Sequence, residues 1–351
     1  MKMAIIGFGG MGTWHYEQIR DRLKDYLHVK GIYDINIDPK QKAEKEGLYV
    51  YSSAEEILKD KEIELVLIST PNLFHCQYCI QMLEGGKNVV CEKPVVLNME
   101  ELKKVYAAQK RSGKFFTVHQ NRRFDIDFQI IQNILSGNYI GKPYFIQSRL
   151  YGSKGIPGDW RACAEAGGGM LYDWSVHLLD QMLYLINSNV VSVYAELKKV
   201  RFRDVDDCNK ILLQFENGIN AEIVVDTWNY IKENRWSISA EDGTAVLYDW
   251  FGTEGKMMKA NITKINWEEG VVETPNGRTR TLSPRPIEDL QELPMPIPRK
   301  PREWEDFYKN VVDCIENNAQ PIVTQEQIWK VLQVVCACFE SEQKKQVICL
   351  K

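Results

Sequence analysis

The sequence predicts an α/β protein: a doubly wound parallel sheet at the N-terminal end, then a second α/β part built largely on antiparallel strands. Three observations carry this. Short apolar runs alternate with helical stretches as far as about Asn121. The turn Gly7-Phe8-Gly9-Gly10-Met11-Gly12, a G-x-G-x-x-G, follows the first apolar run. Beyond Val190 the chain is dense in strand and hairpin signals.

Each element follows in order. Met3–Ile6 reads as a short buried strand, and a helix is expected from about Thr13 to Leu27. Val29–Tyr33 is the next strand and ends at Asp34. Ala54–Leu58 is helical. Glu64–Ile68 is a third strand, closed by Ser69-Thr70-Pro71-Asn72. A helix over 73–84 follows, with Gly85-Gly86 as its stop. Asn88–Cys91 is a fourth strand, ending at Glu92-Lys93-Pro94. Met99–Arg111 is helical, with Gly113 after it, and Phe115–His119 is a fifth strand. Each strand is a continuous apolar run, as in a parallel sheet covered on both faces.

The pattern changes after Asn121. A helix is expected at 127–135, a strand at Pro143–Leu150, and a helix near 171–186 behind Gly167-Gly168-Gly169. From Val190 to about Leu282 strands dominate. Asn217-Gly218, Asp242-Gly243 and Asn276-Gly277 mark hairpin turns. The runs 221–228 and 234–240 alternate as a half-exposed antiparallel sheet does. Six prolines between 284 and 301 read as an extended arm, and helices at 303–317 and 325–343 close the chain. The expected domains are 1–121 and 122–351.

The chain has 351 residues, with 44 basic against 48 acidic and a net charge of −4. That balance gives no global attraction to nucleic acid or an anionic membrane. No apolar run reaches bilayer length, and the N-terminal run is too short for a signal peptide. Nine scattered cysteines, an odd number, fit reduced thiols in a cytoplasmic protein. Cys76-Gln77-Tyr78-Cys79 has no second pair at metal-binding spacing, so it reads as structural and no metal is expected.

The glycine turn has a specific physics. Gly7 permits the tight turn, Gly9 lets the backbone approach a pyrophosphate, and Gly12 allows close helix–strand packing. The helix N-terminus then offers free N–H groups to the phosphates. Asp34 lies 22 positions after Gly12. Its carboxylate suits both ribose hydroxyls of NAD and repels the 2′-phosphate of NADP. Ile35-Asn36-Ile37-Asp38 contains no Arg to hold that phosphate, and Lys40 and Lys42 lie further on. NAD is therefore favoured over NADP.

Ligands of such sheets bind beyond the strand ends. Those ends carry Thr70, Asn72 and His75; Glu92 and Lys93; and His119-Gln120-Asn121-Arg122-Arg123. A second cluster runs from Gly167 to Asp180. Its Asp173, His177 and Asp180 stand at i, i+4 and i+7 and so share one helical face. An imidazole oriented by a carboxylate is a suitable general base near neutral pH.

Together, GFGGMG, STPN with His75, EKP, HQNRRF and GGGMLYDWSVHLLD resemble the Gfo/Idh/MocA oxidoreductases, which include glucose–fructose oxidoreductase and inositol dehydrogenases. The resemblance spans Met1 to about Gln343 and is strongest through residue 185. It implies a Rossmann domain followed by an α/β domain on a large, open, mostly antiparallel sheet. Family members often pair through that open face, so a homodimer or homotetramer is implied. The implied reaction moves a hydride between a secondary alcohol of a sugar, sugar derivative or cyclitol and nicotinamide. In it Lys93 bonds the reacting hydroxyl, His177 exchanges its proton, and Asp173 orients substrate and base. Thr70, Asn72, His75, Glu92 and Asn121 would line the cofactor beside the glycine turn. Trp160 and Arg161 match a pair that lies near the nicotinamide in some members. For Arg122 and Arg123 a structural and a cofactor-facing role stay equally open. The family commonly has Gly or Ala two residues before the motif His. Ser175 stands there, which predicts a narrowed or reshaped pocket. Two other readings stay open: a redox-neutral enzyme that forms a transient keto-sugar from a glycoside, and a nucleotide-binding sensor without catalysis.

Overall fold

The computed structural model describes residues 1–261, 271–280, 285 and 287–350. The N-terminal sheet has six parallel strands in the order β3-β2-β1-β4-β5-β6. They are β1 (Lys2–Ile6), β2 (His28–Tyr33), β3 (Tyr49–Val50), β4 (Leu65–Ile68), β5 (Asn88–Cys91) and β6 (Phe116–Val118). Five helices cover it: α1 (Gly10–Arg22), α2 (Ile37–Lys45), α3 (Ala54–Lys59), α4 (His75–Glu84) and α5 (Met99–Ser112). All four side chains of β4 are fully buried. Each contributes roughly 1.5–3 kcal/mol by leaving water. This is the double coverage that unbroken apolar runs require.

Two elements here escape the hydrophobic pattern. Helix α2 buries only Ala43, and β3 is two residues long. Helix α1 ends at Arg22 and not at Leu27. Past it the Tyr26 and Leu27 N–H groups both donate to the Leu23 carbonyl, closing a tight turn.

After the short turn Asn121–Phe124 come α6 (Ile126–Ser136), β7 (Pro143–Tyr151) and α7 (Val176–Leu185). Then follow β8 (Val190–Lys198), β9 (Cys208–Phe215), β10 (Asn220–Asp226), β11 (Trp236–Ala240), β12 (Gly243–Leu247) and β13 (Gly255–Ala260). A small hairpin joins β14 (Val272–Thr274) to β15 (Gly277–Thr279), and β16 (Leu290–Leu293) precedes α8 (Trp304–Asn317), α9 (Gln325–Lys344) and β17 (Ile348–Cys349). The second sheet is nine-stranded, in the order β16-β13-β12-β11-β7-β10-β9-β8-β17. Of its pairings, β7 with β10 is parallel and the rest are antiparallel. The fold is thus α/β, a parallel sheet plus a mostly antiparallel one. The three Asn-Gly and Asp-Gly signals all fall at hairpin turns.

The second sheet covers one face only. Along β9, Ile211, Leu213 and Phe215 point into the core while Lys210, Leu212 and Gln214 are exposed. The proline-rich arm differs from expectation: part of it pairs as edge strand β16. Leu282, Pro284 and Pro286 lie outside the described residues. The expected helix at 171–186 is split into a π-helical turn, Leu171–Ser175, and α7. The closing helices reach back to the first sheet: Phe307, Tyr308 and Val311 of α8 belong to its core. Helix α9 divides its apolar face, Leu332 joining the first core and Val335 the second. No helix among the described residues is long and apolar enough to cross a membrane. All nine cysteines are free thiols.

Candidate active site

The glycine turn joins β1 to α1. Gly7 adopts φ +89°, and a Cβ there would stand 2.8 Å from the Ser69–Thr70 backbone. A Cβ on Gly12 would lie 2.0 Å from the Gly7 carbonyl oxygen. Gly9 and Gly10 would meet nothing within 4 Å, so their bare backbone borders open space. Gly9 caps α1 without a side chain, which leaves the first N–H groups of the helix free for an anion. Phe8 itself is buried core, but its N–H donates to Asp34 Oδ2 at 2.7 Å. Asn36 N–H donates to Asp34 Oδ1 at 2.8 Å. Both bonds fix the carboxylate at the end of β2.

A cleft of about 470 Å³ runs from this turn across the strand ends. Gly7, Gly9, Gly10, Met11 and Asp34 line one end; Thr70, Asn72, His75, Glu92, Lys93, Trp160, Arg161 and Asp173 line the other. Thr70 Oγ1 is buried in it with no hydrogen-bond partner among the described residues. Open glycines, a free helix terminus, a fixed carboxylate and an orphaned hydroxyl are the donor and acceptor set a dinucleotide needs. The residues therefore fit NAD.

A second cavity, about 900 Å³, opens beside the first and is lined by Arg122, Asp125, Lys154, Trp174, Trp250 and others. Asp173 lines both. At this junction Lys93 Nζ donates to the Asp173 carbonyl at 2.7 Å and to its carboxylate at 3.0 Å. Arg161 Nε approaches the other carboxylate oxygen at 3.4 Å. Burial alone would raise the Asp173 carboxyl, but the charges of Lys93 and Arg161 hold it below the ordinary carboxylate range.

His177 is 5% exposed and lies a layer deeper, its ring edge-on to Trp174 at 5.8 Å. Its Nδ1 is buried without a partner. Burial, with the nearby charges of Lys93 and Arg122, pushes its pKa well below the usual histidine value, so the ring is neutral at neutral pH. Asp173 bonds Lys93 and Arg161, and among the described residues no hydrogen bond joins it to His177. The π-helical turn separates Asp173 from the α-helical face that the i, i+4, i+7 spacing implies. Asp180 leaves the site altogether. It takes Arg123 Nε and Nη2 at 2.7 and 2.6 Å in a buried bidentate pair.

Other expected residues hold the frame. Both His75 nitrogens face backbone carbonyls, Pro94 at 2.7 Å and Thr70 at 2.9 Å, so the ring ties two strand ends together. Asn72 Nδ2 donates to the Gly167 carbonyl at 2.7 Å, fastening the triglycine loop over the cleft. Asn121 lines neither cavity. Ser175 is fully buried and donates to Asn209 at 2.7 Å, so it faces the sheet and does not narrow the pocket.

Glu92 anchors a deeper network. His15 Nε2 and His119 Nδ1 meet its Oε1 at 2.8 and 2.9 Å, and Lys93 N–H reaches Oε2 at 3.1 Å. Tyr308 OH closes the network on His15 Nδ1 at 2.8 Å. Burial pushes Glu92 up, yet the two imidazoles hold it well below its usual pKa. Among the described residues these three are the group whose ligand-type atoms all lie within 4.8 Å of one another. Mutual hydrogen bonds account for the contacts, and both imidazoles are fully buried.

Sequence reasoning missed Asp125, Trp250 and Asp206. Asp206 Oδ2 accepts the Leu171 N–H at 2.9 Å and so caps the turn that carries Asp173. Its only signal was the Asp206-Asp207 pair, far along the chain.

A family model described as an oxidoreductase family with an NAD-binding Rossmann fold matches residues 1–120. A second, the GFO/IDH/MocA C-terminal domain, matches residues 128–246. Among solved structures, an NAD-binding protein from Listeria innocua is 40% identical, with a TM-score of 0.94 over 99% of both chains. The scyllo-inositol 2-dehydrogenase (NADP(+)) of Bacillus subtilis is 25% identical over 100% of this chain and 96% of its own. The myo-inositol 2-dehydrogenase of Thermotoga maritima is 24% identical over 75% of this chain and 76% of its own.

Proposed function

The chain belongs to the Gfo/Idh/MocA family of NAD-binding oxidoreductases, and on that premise we propose that it oxidises a secondary alcohol of a sugar, sugar derivative or cyclitol. The observation that supports this most is the Lys93–Asp173 pair at the junction of the dinucleotide cleft and the second cavity. Relatives named inositol dehydrogenases support the substrate class.

Gly7, Gly9, Gly10 and Met11 would hold the diphosphate at the start of α1, and Asp34 the ribose diol, which favours NAD over NADP. Thr70, Asn72, Glu92, Trp160 and Arg161 would flank the nicotinamide half. When bound, nicotinamide supplies the hydride acceptor in oxidation and the donor in reduction. Lys93 then donates to the reacting oxygen and stabilises its developing negative charge. Asp173 fixes the Lys93 ammonium through two bonds and keeps the charge pair balanced. His177, held neutral by burial, receives the hydroxyl proton in oxidation and returns it in reduction. The cofactor and substrate roles divide near residue 121. The uncovered face of the second sheet pairs two copies into a homodimer or homotetramer, and the free thiols suit a cytoplasmic location.

The test incubates purified protein with NAD and a panel of cyclitols, aldoses and glycosides while following nicotinamide absorbance. Sustained NADH formation with one polyol is expected. Lys93→Ala and His177→Ala should each lower turnover at least roughly 100-fold, in line with general acid–base contributions, while calorimetry still detects NAD binding. Near-normal turnover in both variants would refute the assignment. Glycoside consumption without net NADH would replace it with redox-neutral chemistry.

A further inference from the structure

The second cavity holds a cation, Arg122, whose ion pair with Asp125 is long, at 3.4 Å. The Arg122 guanidinium packs against two neighbouring indoles, its carbon 4.9 Å from the Trp174 ring centre and 5.3 Å from that of Trp250, the two ring centres standing 6.2 Å apart. Arg235 packs on Trp250 at 4.5 Å and on Trp236 at 4.9 Å, so Trp250 contacts both guanidiniums. Arg122 Nε is buried with no partner. Its Nη1 reaches Asp125 only at 3.4 and 3.5 Å, and among the described residues Nη2 has none.

The remaining charges of the cavity sharpen the point. Asp173 is engaged by Lys93 and Arg161. Asp226 accepts from the Trp228 N–H at 2.8 Å and from Cys208 Sγ at 3.0 Å. Asp125 is pushed up to about 7 by burial, which makes it a weak counter-charge at neutral pH. Lys154 lines the same cavity, is exposed, and has no ion pair among the described residues. Asp173 is thus paired, Asp226 is hydrogen-bonded and Asp125 is partly neutralised, while Arg122 has only its long pair with Asp125 and Lys154 has none among the described residues.

A guanidinium packed against indole rings still offers its in-plane N–H edge to a ligand. There its N–H groups form a fork that matches two oxygens of a carboxylate or phosphate. A hydroxyl of a neutral sugar offers that fork one oxygen and no charge. We propose that the substrate carries an anionic substituent, a carboxylate or a phosphate, gripped by the open edge of Arg122 with Lys154 beside it. The proposal rests on the second cavity being the substrate cavity of the reaction above, and it narrows the substrate to an anionic sugar or cyclitol derivative.

The test titrates the NAD-loaded protein calorimetrically with D-glucose, D-glucuronate and D-glucose 6-phosphate: one ring in neutral, carboxylate and phosphate forms. At least one anion should bind at least roughly 10-fold more tightly than glucose, as expected for charge-assisted hydrogen bonds. That preference should weaken with added salt. Preference for glucuronate would name the carboxylate, and preference for glucose 6-phosphate the phosphate. Arg122→Gln should remove the preference. Arg122→Lys, which keeps the charge but loses the planar fork, should retain part of it for the phosphate and little for the carboxylate. NAD affinity and the unfolding temperature report whether each variant is folded. Equal affinity for all three sugars, binding of none, or an unchanged preference in folded Arg122→Gln would overturn the proposal. Because the readout is binding, a protein that prefers the anion yet forms no NADH would sink the proposed reaction and not this inference. NADH formation from neutral polyols with no anion preference would do the reverse.

Discussion

His15 offers a quantitative test of the network beneath the strand ends. Its ring is fully enclosed, and burial together with the neighbouring His119 pulls its pKa from 6.5 down to about 4, against the pull of Glu92. The folded value lies below the unfolded one. Between those values the unfolded chain binds a proton that the folded chain refuses, so the stability present at pH 7 is lost as the pH falls toward 4. Integrating the two titrations gives a loss of about 2 kcal/mol from pH 7 to 5 and about 3 kcal/mol by pH 4. Asp125, raised to about 7, and Asp206, raised to about 6, act in the opposite sense and gain stability on acidification. The whole-protein pH curve therefore mixes both signs, and the difference between the wild type and His15→Gln isolates the histidine. Urea unfolding followed by tryptophan fluorescence at pH 7, 6 and 5 measures it. The gap between wild type and variant should narrow by about 2 kcal/mol from pH 7 to 5. Two parallel curves would refute the reasoning, because His15 would then titrate alike in both states.

Three further outcomes follow from the geometry. Asp180→Ala leaves Arg123 buried without its bidentate partner and should cost about 3–5 kcal/mol in urea unfolding; a loss below about 1 kcal/mol, the range of exposed pairs, would show the pair to be solvated. Gly12→Ala sets a methyl group 2.0 Å from the Gly7 carbonyl, so the turn must open. Calorimetric NAD affinity should fall roughly 10-fold, the equivalent of modest overpacking, and unchanged affinity would refute that view of the turn. Asp34→Ser keeps an acceptor for the Phe8 N–H but removes the charge. The affinity ratio of NADP to NAD should rise, and a constant ratio would mean that another group sets the preference.

Five of the six strands of the first sheet were legible because they are short apolar runs between glycine and proline signals, and β5 runs over the expected Asn88–Cys91; the two-residue β3 was not. Helix α2 was not, because Lys40, Lys42, Glu44 and Lys45 leave it no apolar stripe. The glycine turn and Asp34 could be read from spacing alone, since a local backbone requirement dictates them. Lys93 and Asp173 come together across 80 positions, which only the family resemblance anticipated. The π-helical turn escaped periodicity because its cap, Asp206, lies 35 positions beyond Leu171. The Ser175 expectation failed for a related reason: side-chain size was legible, but the partner that turns it toward the sheet, Asn209, was not. Trp250 and Asp125 had no signal of their own, and they matter only because the fold stacks them around Arg122.

The bond from Tyr308 to His15 joins residues 293 positions apart. It has a consequence for how the protein is made. At translation rates of about 5–20 residues per second, His15 waits roughly 15 to 60 seconds for its partner. Until α8 emerges, the nascent nucleotide-binding sheet lacks Phe307, Tyr308 and Val311 from its core. A gene truncated after β16, before α8, would still encode the whole glycine turn and both cavities' principal residues. Its product would nevertheless leave one flank of the first sheet bare to chaperones and proteases.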